Sequence, residues 1–297
     1  MCQTACFPVM NSFLCTSPSR RLIGEGGFGS VYEEYAPGTG LRVVKVVKIL
    51  SSDDSKSVEK EASILARMKH PYIPNLLNYS RLDDAHAEII MQFVGSHTLL
   101  DILNRNEDDC IPPLHDWTVL ACTSSAILHL HNCGIAHMDI KCENIVVDQV
   151  GRAYLIDYNL SYEYGMNEPE FNLTHRCGTV SYAAPEIFVR TIGPYSAYRS
   201  DVWSFGVVCF AIFGGHAPFY KAASADKYFS RFNELQPKYG ATVAFQTIFP
   251  KNTKFHSLDA MKMTILNATL QIDPMRRVRM SSIFAIAHNF VNRKQCS

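Results

Sequence analysis

A glycine-rich segment near the beginning of the chain could bind phosphate groups. Residues 24–31 read GEGGFGSV, with the spacing GxGxxGxV, and lie between two runs that favour strands. Because glycine has no Cβ, the amides of such a loop can approach and cover phosphates. A dinucleotide-binding fingerprint would need a helix directly after the glycines. A strand and the turn at residues 37–40 follow instead, which argues against that class of site.

A cluster of polar residues at positions 137–144, HMDIKCEN, could carry out a group transfer. It lies between a helix pattern and the apolar run at residues 145–147, and Asp157 follows the next apolar run. Together with the glycine-rich segment, these residues resemble the G-x-G-x-x-G, H-R-D-L-K-x-x-N and D-F-G segments of eukaryotic-type protein kinases. Lys141, two residues after Asp139, resembles the serine/threonine class of that family.

The resemblance implies a role for each polar residue. Asp139 would accept the proton of the substrate hydroxyl or orient that hydroxyl, and Lys141 would neutralise the migrating phosphoryl group. Asn144 and Asp157 would hold Mg²⁺. The implied cofactors are ATP and Mg²⁺, and the implied contacts of ATP are Ile23, Gly24, Gly26, Gly27, Phe28, Gly29, Val31, Lys45 and Met91.

In this family a strand lysine holds the ATP phosphates and is oriented by a helix glutamate. Lys45 and Lys48 are both candidates, and Lys45, 16 residues before Glu61, fits the family's spacing better. Lys48 would point to the opposite face of an ideal strand. On the amphipathic helix expected over residues 57–69, Glu61 fits the register E-x-x-I-L…H-P, whereas Glu59 lies on a different face. We therefore expect Lys45 and Glu61 to act together.

Later segments also resemble the family. Residues 177–186 are similar to C-G-T-x-x-Y…A-P-E, and Thr179 is expected to contact the catalytic aspartate and lysine. Glu186 should pair with Arg277 of a D-P-x-x-R segment. Asp201, in the D-V-W-S-x-G segment, should brace the backbone of the catalytic loop.

Two positions depart from the family pattern. Met138 replaces an arginine that commonly clamps a phosphorylated activation loop, so activation by loop phosphorylation is in doubt. Tyr158 and Asn159 stand in place of Phe and Gly, and Tyr158 can replace Phe as a packing group. Asparagine tolerates left-handed backbone conformations. We therefore expect Asn159 to make the conformational change of this segment stiffer and to leave the enzyme active.

The order of the patterns predicts an α+β fold. Strand patterns dominate the first third, around one helix, and helical periodicity dominates the rest. The resemblance implies the bilobal protein-kinase fold, with a small antiparallel β-rich N-lobe that has one main helix and a larger, mainly α-helical C-lobe. We expect a flexible leader, the N-lobe and the C-lobe at residues 1–20, 21–94 and 95–297.

Composition limits the class of protein. Hydrophobic residues make up 47% of the 297 residues, and Lys plus Arg equals Asp plus Glu at 28 each. This balance argues against a dedicated nucleic-acid or membrane-surface protein, and no 18-residue apolar run is present. Protein substrates are the expected partners, and the sequence does not indicate an oligomeric state.

Ten cysteines are scattered without CxxC spacing, so we expect reduced thiols in an intracellular compartment, cytoplasm or nucleus. Zinc binding by Cys133, His137 and Cys142 has little support, because pairs of ligands at the usual spacing are missing. Cys142, beside Lys141, is either a reactive thiol or, as we expect, a buried inert one.

Two other functions compete with an active protein kinase. A pseudokinase, a nucleotide-binding scaffold, would typically have lost Lys45, Asp139 or Asp157, and all three are present. A small-molecule kinase could share the catalytic loop, but the segment at residues 201–206 is typical of protein kinases. Within the family, the segment at residues 157–161 resembles the conserved herpesvirus protein kinases, which would imply a host-cell setting.

Overall fold

A computed structural model of the chain describes residues 19–26, 29–105, 114–189 and 193–295. Most of the expected leader, residues 1–18, and two residues of the glycine-rich segment, Gly27 and Phe28, lie outside these ranges. The contacts group the described residues into two units. One unit extends up to Ile49 and includes Leu77–Phe93, and the other holds Leu50–Leu76 and the residues from Val94 onward. The boundaries expected at residues 21–94 and 95–297 stay a prediction.

The first unit is a five-stranded sheet in the order β1-β2-β3-β5-β4, in which β1 and β2, β2 and β3, and β3 and β5 pair in antiparallel fashion. The turn between β2 and β3 uses Gly38 and Gly40 at φ 85° and 80°, where a side chain would be strained. Val44 and Val47 of β3 are buried. The strands are β1 (Ser19–Gly26), β2 (Gly29–Ala36), β3 (Gly40–Lys48), β4 (Leu76–Arg81) and β5 (His86–Gln92).

A cluster of charges anchors strand β1 to the sheet. Glu34 of β2 is fully buried and accepts hydrogen bonds from Arg20 and Arg42. Arg20 also bonds to Glu88 of β5, at 2.9 Å. Removing one partner would leave a buried charge uncompensated, so these side chains hold four strands, β1, β2, β3 and β5, in one register.

The second unit is mainly helical. Ser51 caps helix α1, because its hydroxyl accepts the amide of Asp54 at 3.2 Å. Helix α5 changes direction at Gly240, which has non-helical backbone angles, and it also contains Pro237. The helices of the described ranges are α1 (Ser52–Arg67), α2 (Leu99–Leu103), α3 (Asp116–Asn132), α4 (Ala197–Gly214), α5 (Lys227–Ile248), α6 (Thr253–His256), α7 (Ala260–Thr269) and α8 (Met280–Gln295).

Helix α4 lies at the centre of this unit. Its sequence is apolar on nearly every face, and most of its residues are buried. Trp203 and Phe210 of α4 pack against aromatic rings of later elements, with ring centroids 4.4 Å apart for Phe210 and Phe245. Helix α3 packs on α8, where Trp117 stacks on Phe290 at 4.2 Å.

Short strands of the second unit frame the loops between α2 and α4. Strand β8 pairs with β6 and β9, β10 pairs with β7, and β11 pairs with β12. They are β6 (His97–Thr98), β7 (Ile135–Ala136), β8 (Ile145–Val147), β9 (Ala153–Leu155), β10 (Tyr162–Glu163), β11 (Phe171–Leu173) and β12 (Tyr195–Ser196).

The sheet and the helices confirm the predicted α+β class, with a small antiparallel β-rich part and a larger, mainly helical part. The contacts of helix α1 group it with the second unit. Among the helices of the described ranges, none has both the length and the apolar character needed to cross a bilayer.

Candidate active site

The loop between β7 and β8 is held in an uncommon backbone conformation. Met138 has φ 66°, a left-handed angle that costs a side-chain-bearing residue about 1–3 kcal/mol. The buried carboxylate of Asp201, on helix α4, accepts the amides of His137 and Met138, each at 2.8 Å. It also contacts the imidazole of His131 at 2.9 Å. These bonds confirm that Asp201 braces the loop, and they offset the strain at Met138.

The carboxylate of Asp139 lies at the centre of a polar group. Its Oδ2 is 2.7 Å from Nζ of Lys141, and its Oδ1 accepts the amide and the hydroxyl of Thr179 at 2.9 and 2.7 Å. Lys141 also donates to the Thr179 hydroxyl at 3.0 Å. The expected contact of Thr179 with the aspartate and the lysine is therefore confirmed.

These contacts set the charge of Asp139. Burial alone would raise its pKa, but the hydrogen bonds from Lys141 and Thr179 lower the pKa below the usual value of 3.8. Asp139 is therefore ionised at neutral pH. A charged carboxylate can accept a hydrogen bond from a hydroxyl group, and later its proton.

Asn144 is oriented by the same aspartate. It ends a short 3₁₀ turn at Cys142–Asn144, and its Nδ2 donates to the backbone oxygen of Asp139 at 2.9 Å and to Oδ2 at 3.1 Å. Because the amide nitrogen faces Asp139, the oxygen is the atom of this side chain that could bind a metal.

The segment of Asp157 is bonded to the catalytic loop through its neighbour. The amide of Ile156 donates to the oxygen of Asn144 at 3.0 Å, and the oxygen of Ile156 is 3.1 Å from Nε2 of His137. Asp157 has φ 67°, whereas Asn159 is not among the described residues with positive φ. The left-handed position that we considered for Asn159 thus falls at Asp157.

Tyr158 is fully buried and donates its hydroxyl to the oxygen of Leu155 at 2.7 Å. Its ring lies 5.2 Å from the ring of His137. The expectation that Tyr158 serves as a packing group is confirmed. Its hydroxyl, which phenylalanine lacks, adds one more bond to the start of this segment.

Glu61 and Glu59 of helix α1 differ in environment. Glu61 is buried, with 2% of its surface exposed, whereas Glu59 is exposed and bonds to Ser55. Burying a carboxylate costs free energy unless a partner compensates, so the burial of Glu61 indicates a compensating contact. The two glutamates thus differ in burial, and the choice of Glu61 over Glu59 stays a prediction.

In the first unit, the glycine-rich segment forms the end of the β1–β2 hairpin. Gly26 pairs with Gly29, and a Cβ at Gly26 would meet no atom of the described residues within 4 Å. Gly29 has φ 146°, and a Cβ there would lie 2.0 Å from the oxygen of Val46. Gly29 therefore has to be glycine for the hairpin to keep its conformation. Gly27 and Phe28 are outside the described residues.

The other first-unit residues expected to contact a nucleotide lie on adjacent strands. Lys45 of β3 is paired with Val31 of β2 and with Ile89 of β5, and it is partly buried, whereas Lys48 is exposed. Met91 of β5 pairs with Val43 of β3, while Ile23 and Gly24 lie on β1. Val31, Lys45 and Met91 therefore lie on one face of the sheet, and Gly24 of β1 is paired with Val31.

The thiol near the catalytic loop is buried. Desolvation by burial raises the pKa of Cys142 to about 12, so it is protonated at neutral pH. The expectation of an inert Cys142 agrees with this environment. Among the described residues, no three His, Cys, Asp or Glu side chains are grouped so that they could hold a metal, and zinc binding gains no support.

Sequence reasoning missed the side-chain contacts between helix α1 and the segment after Asp157. Lys60 donates to the oxygen of Ser161 at 2.7 Å, and Arg67 pairs with Glu163. Ser161 in turn donates to the oxygen of His137 at 3.4 Å. No local pattern could have indicated these pairs, because about a hundred residues separate Lys60 from Ser161 and Arg67 from Glu163.

Comparisons with known proteins agree with this geometry. A family model described as protein kinase domain matches residues 18–291. CBL-interacting serine/threonine-protein kinase 18 of Arabidopsis thaliana is 32% identical over 205 residues, which are 67% of this chain and 38% of that protein. Citron Rho-interacting kinase of Homo sapiens is 32% identical over 213 residues, 69% of this chain and 10% of that protein.

The hormonally up-regulated neu tumor-associated kinase homolog of Xenopus tropicalis is 28% identical over 280 residues, 92% of this chain and 37% of that protein. The chain therefore matches less than half the length of each of these three relatives.

Proposed function

Because this chain belongs to the protein kinase domain family, we propose that it transfers the γ-phosphate of ATP to serine and threonine hydroxyls of protein substrates, with Mg²⁺. The observation that carries the proposal is the ionised carboxylate of Asp139, bonded to both Lys141 and Thr179. This is the set of groups that positions a hydroxyl and compensates negative charge. Contact of Thr179 with the catalytic lysine supports serine or threonine as the acceptor.

Each residue of the catalytic loop has a task in this reaction. Asp139 orients the acceptor hydroxyl and takes its proton, and a pKa below the usual value keeps it ready to accept the hydrogen bond. Lys141 compensates the charge on the transferred group. Asp201 keeps the backbone of Met138 in place, so that Asp139 is already oriented before the substrate binds.

The residues present fit a magnesium ion with a nucleotide. Mg²⁺ prefers oxygen ligands and is usually bound by one or two carboxylates together with phosphates. The amide oxygen of Asn144 and the carboxylate of Asp157 would hold it, where it would compensate the charge of the phosphates. A hairpin whose Gly29 cannot carry a side chain suits backbone amides that approach phosphates.

The nucleotide contacts follow from the sheet. We assign to ATP the residues Ile23, Gly24, Gly26, Gly29 and Val31, with Gly27 and Phe28 between them in sequence. Lys45 would anchor the phosphates with support from Glu61, and Met91 would lie near the base. The partial burial of Lys45 and the burial of Glu61 support this choice over Lys48 and Glu59.

One observation bears on the substrate. Oε2 of Glu143, two residues after Lys141, is buried without a hydrogen-bond partner among the described residues. The protein covers Oε2 itself, but the Glu143 side chain as a whole is partly exposed, and a carboxylate beside Lys141 can pair with a cationic side chain of a substrate. We therefore expect a preference for substrates with a basic residue before the acceptor hydroxyl.

We place the protein inside the cell, in the cytoplasm or the nucleus, because its ten cysteines are scattered without CxxC spacing. We also propose that the chain is related to the conserved herpesvirus protein kinases. The proposal rests on the segment Asp157-Tyr158-Asn159-Leu160-Ser161. Fractionation of the producing cells and detection of the chain in each fraction test the location.

Transfer of labelled phosphate tests the function. The purified chain is incubated with Mg²⁺, γ-labelled ATP and casein, histone or myelin basic protein, beside Asp139→Asn and the matched control Asp84→Asn. Asp84 is an exposed loop residue of the first unit. We expect phosphoserine or phosphothreonine with the parent and with Asp84→Asn, and a large loss with Asp139→Asn.

The alternative function, a nucleotide-binding pseudokinase, predicts a different result. It would bind ATP but transfer no phosphate to any of the proteins. Equal transfer by the parent and by Asp139→Asn would contradict the role of Asp139.

A further inference from the structure

Helix α1 makes three side-chain contacts with the segment that follows Asp157. Ser57 donates to the oxygen of Asn159 at 3.4 Å, and Lys60 donates to the oxygen of Ser161 at 2.7 Å. At the end of the helix, Nη1 and Nη2 of Arg67 bond to the two carboxylate oxygens of Glu163 at 2.7 and 2.9 Å. The two planar groups therefore face each other in the bidentate geometry, which is the strong form of this pair.

The three residues of helix α1 that make these contacts lie on one face of the helix. Residues 57, 60 and 67 are three and seven apart, so they lie on one side of a helix. Lys60, in the middle of this face, is half-buried, and burial lowers its pKa. A partly desolvated amine needs its hydrogen-bond acceptor, the oxygen of Ser161, which ties the helix to the backbone of the segment.

The segment leads directly to the catalytic loop. Glu163 lies on β10, which pairs with β7 in the register Glu163 with Ile135 and Tyr162 with Ala136. Strand β7 ends one residue before His137, and Ser161 donates to the oxygen of His137. A shift of helix α1 would thus be passed through β10 to the loop that carries Asp139.

Two other glutamates of the same segment are also bonded. Glu168 accepts the amide of Gly165 at 2.5 Å as well as the Tyr162 hydroxyl and the Asn172 amide. Glu170 accepts from Ser196 at 2.9 Å and from Arg199 at 3.2 Å. Carboxylates of the chain itself therefore hold the segment to helix α1, to itself and to the start of α4.

Met138 cannot contribute a charge to this arrangement. It is apolar and buried, with 5% of its surface exposed, so it cannot bind a phosphate. Two cations of helix α1 face the segment: Lys60 bonds to a backbone oxygen, that of Ser161, and Arg67 is already paired with an anion, Glu163. The ionic contact between helix and segment is complete without a phosphorylated residue.

We propose that Arg67 and Glu163 are positioning residues that keep helix α1, which carries Glu61, against the segment that begins at Asp157, so that phosphate transfer does not require phosphorylation of that segment. The proposal rests on the proposed function. Both side chains are partly exposed, at 45% and 40%, so the pair contributes modestly. An exposed pair typically shifts an equilibrium by about two- to fivefold.

Kinetics of single and double variants test the pair. We expect Arg67→Gln and Glu163→Gln each to lower kcat about two- to fivefold, with a smaller change in KM for ATP and an unchanged melting temperature. The exchanged pair, Arg67→Glu with Glu163→Arg, should recover most of the activity that Arg67→Glu alone loses. Lys56→Gln is the matched control, because Lys56 lies on the same helix and its one ion pair among the described residues is with Asp53, at 3.4 Å.

A phosphatase treatment tests the second half of the proposal. The parent protein, shown by mass spectrometry to carry no phosphate on residues 159–189, should keep its activity. Loss of activity on removal of phosphate would overturn the proposal. So would equal kcat values for the parent and Arg67→Gln, or an exchanged pair no more active than Arg67→Glu alone.

Hydrogen exchange separates a failure of this proposal from a failure of the proposed function. If the parent transfers no phosphate to any substrate, the proposed function fails, and the pair is judged by amide exchange. Faster exchange in Arg67→Gln than in Lys56→Gln, in the last turn of α1 and in residues 159–163, supports the positioning role. Equal exchange in the two variants contradicts it.

Discussion

Arg277 and Glu186 form a bidentate ion pair, with Nη1 to Oε1 at 2.6 Å and Nη2 to Oε2 at 2.7 Å. The guanidinium is fully buried, lies over the ring of Trp203 at 5.0 Å and donates Nε to the oxygen of Gln271 at 2.7 Å. The predicted pairing of these two residues is confirmed. One cation thereby joins the 3₁₀ turn at Pro185–Phe188 to helix α4 and to the loop before α8.

Replacing Arg277 tests the importance of this pair for stability. Arg277→Met leaves the Glu186 carboxylate without its partner in a mostly buried place, and we expect it to lower the free energy of unfolding by about 3–5 kcal/mol. Denaturant unfolding measures the change. The matched control is Arg276→Met, because Arg276 is exposed and its pair with Asp273 is loose, at 3.8 Å. A loss as large in the control would contradict the assignment.

The backbone strain at Met138 predicts a separate effect on catalysis. Asp201→Asn can accept only one of the two amides, and its NH₂ group would oppose the other. We expect a loss of about 1–3 kcal/mol in stability. We also expect kcat to fall about ten- to a hundredfold, because Asp139 is displaced.

Asp259→Ala is the control for this experiment, since Oδ1 of Asp259 also accepts two amides, those of Met261 and Lys262 at 2.9 Å, but at the start of α7. It should lose stability and keep its kcat. If both variants lose activity in proportion to stability, Asp201 has no specific effect on the catalytic loop.

His70 predicts how stability depends on pH. Burial, together with the stacked imidazole of His129, lowers the pKa of His70 from 6.5 to about 4. Between these values the unfolded chain binds a proton at this position and the folded chain does not. The free energy of unfolding should therefore fall as pH is lowered from 6.5, and this contribution should be fully lost below about 4.

The melting temperature measured across this pH range provides the test. His70→Asn removes the titrating group and should give a shallower decline between pH 6.5 and 4 than the parent. The exposed His256 is a suitable control, and His256→Asn should keep the slope of the parent. Identical slopes in all three proteins would show that His70 titrates alike in the folded and unfolded chain.

The cysteines should differ in reactivity. Cys133 is exposed, whereas burial raises the pKa of Cys142 to about 12 and that of Cys209 well above its usual value. Because the thiolate is the reactive form, iodoacetamide should label Cys133 in the native protein and reach the other two only after unfolding. Peptide mapping by mass spectrometry measures the labels. Native labelling of Cys142 as fast as Cys133 would contradict its burial.

Much of the fold could be predicted because its patterns are local. The apolar period indicated helix α3 and the mainly helical character of the later part of the chain, and the run rich in Val and Ile at residues 41–50 indicated strand β3. Helix α5 was not predicted, since Pro237 and Gly240 interrupt its pattern. Helix α1 begins at Ser52, five residues before the predicted start, because Ser51 caps it.

In the candidate site, too, the sequence predicted some features and missed others. Motif spacing identified Asp139, Lys141, Asn144 and Thr179, and the contacts among them agree with those expected. It did not indicate that Asp157 rather than Asn159 takes the left-handed backbone, because both residue types tolerate that conformation. That choice depends on bonds such as the one between Ile156 and Asn144.

The sequence by itself determined which chemical groups this protein can use: its carboxylates, amines and glycines. Their spacing along the chain, as in the loop between β7 and β8 that carries Asp139 and Lys141, could be read without the structure. Only the tertiary structure decided the pairs that join distant segments, such as Arg67 with Glu163 and Lys60 with Ser161. The physical reason is that periodicity and turn chemistry act over a few residues. A contact between groups about a hundred residues apart exists only once packing has brought the two segments together.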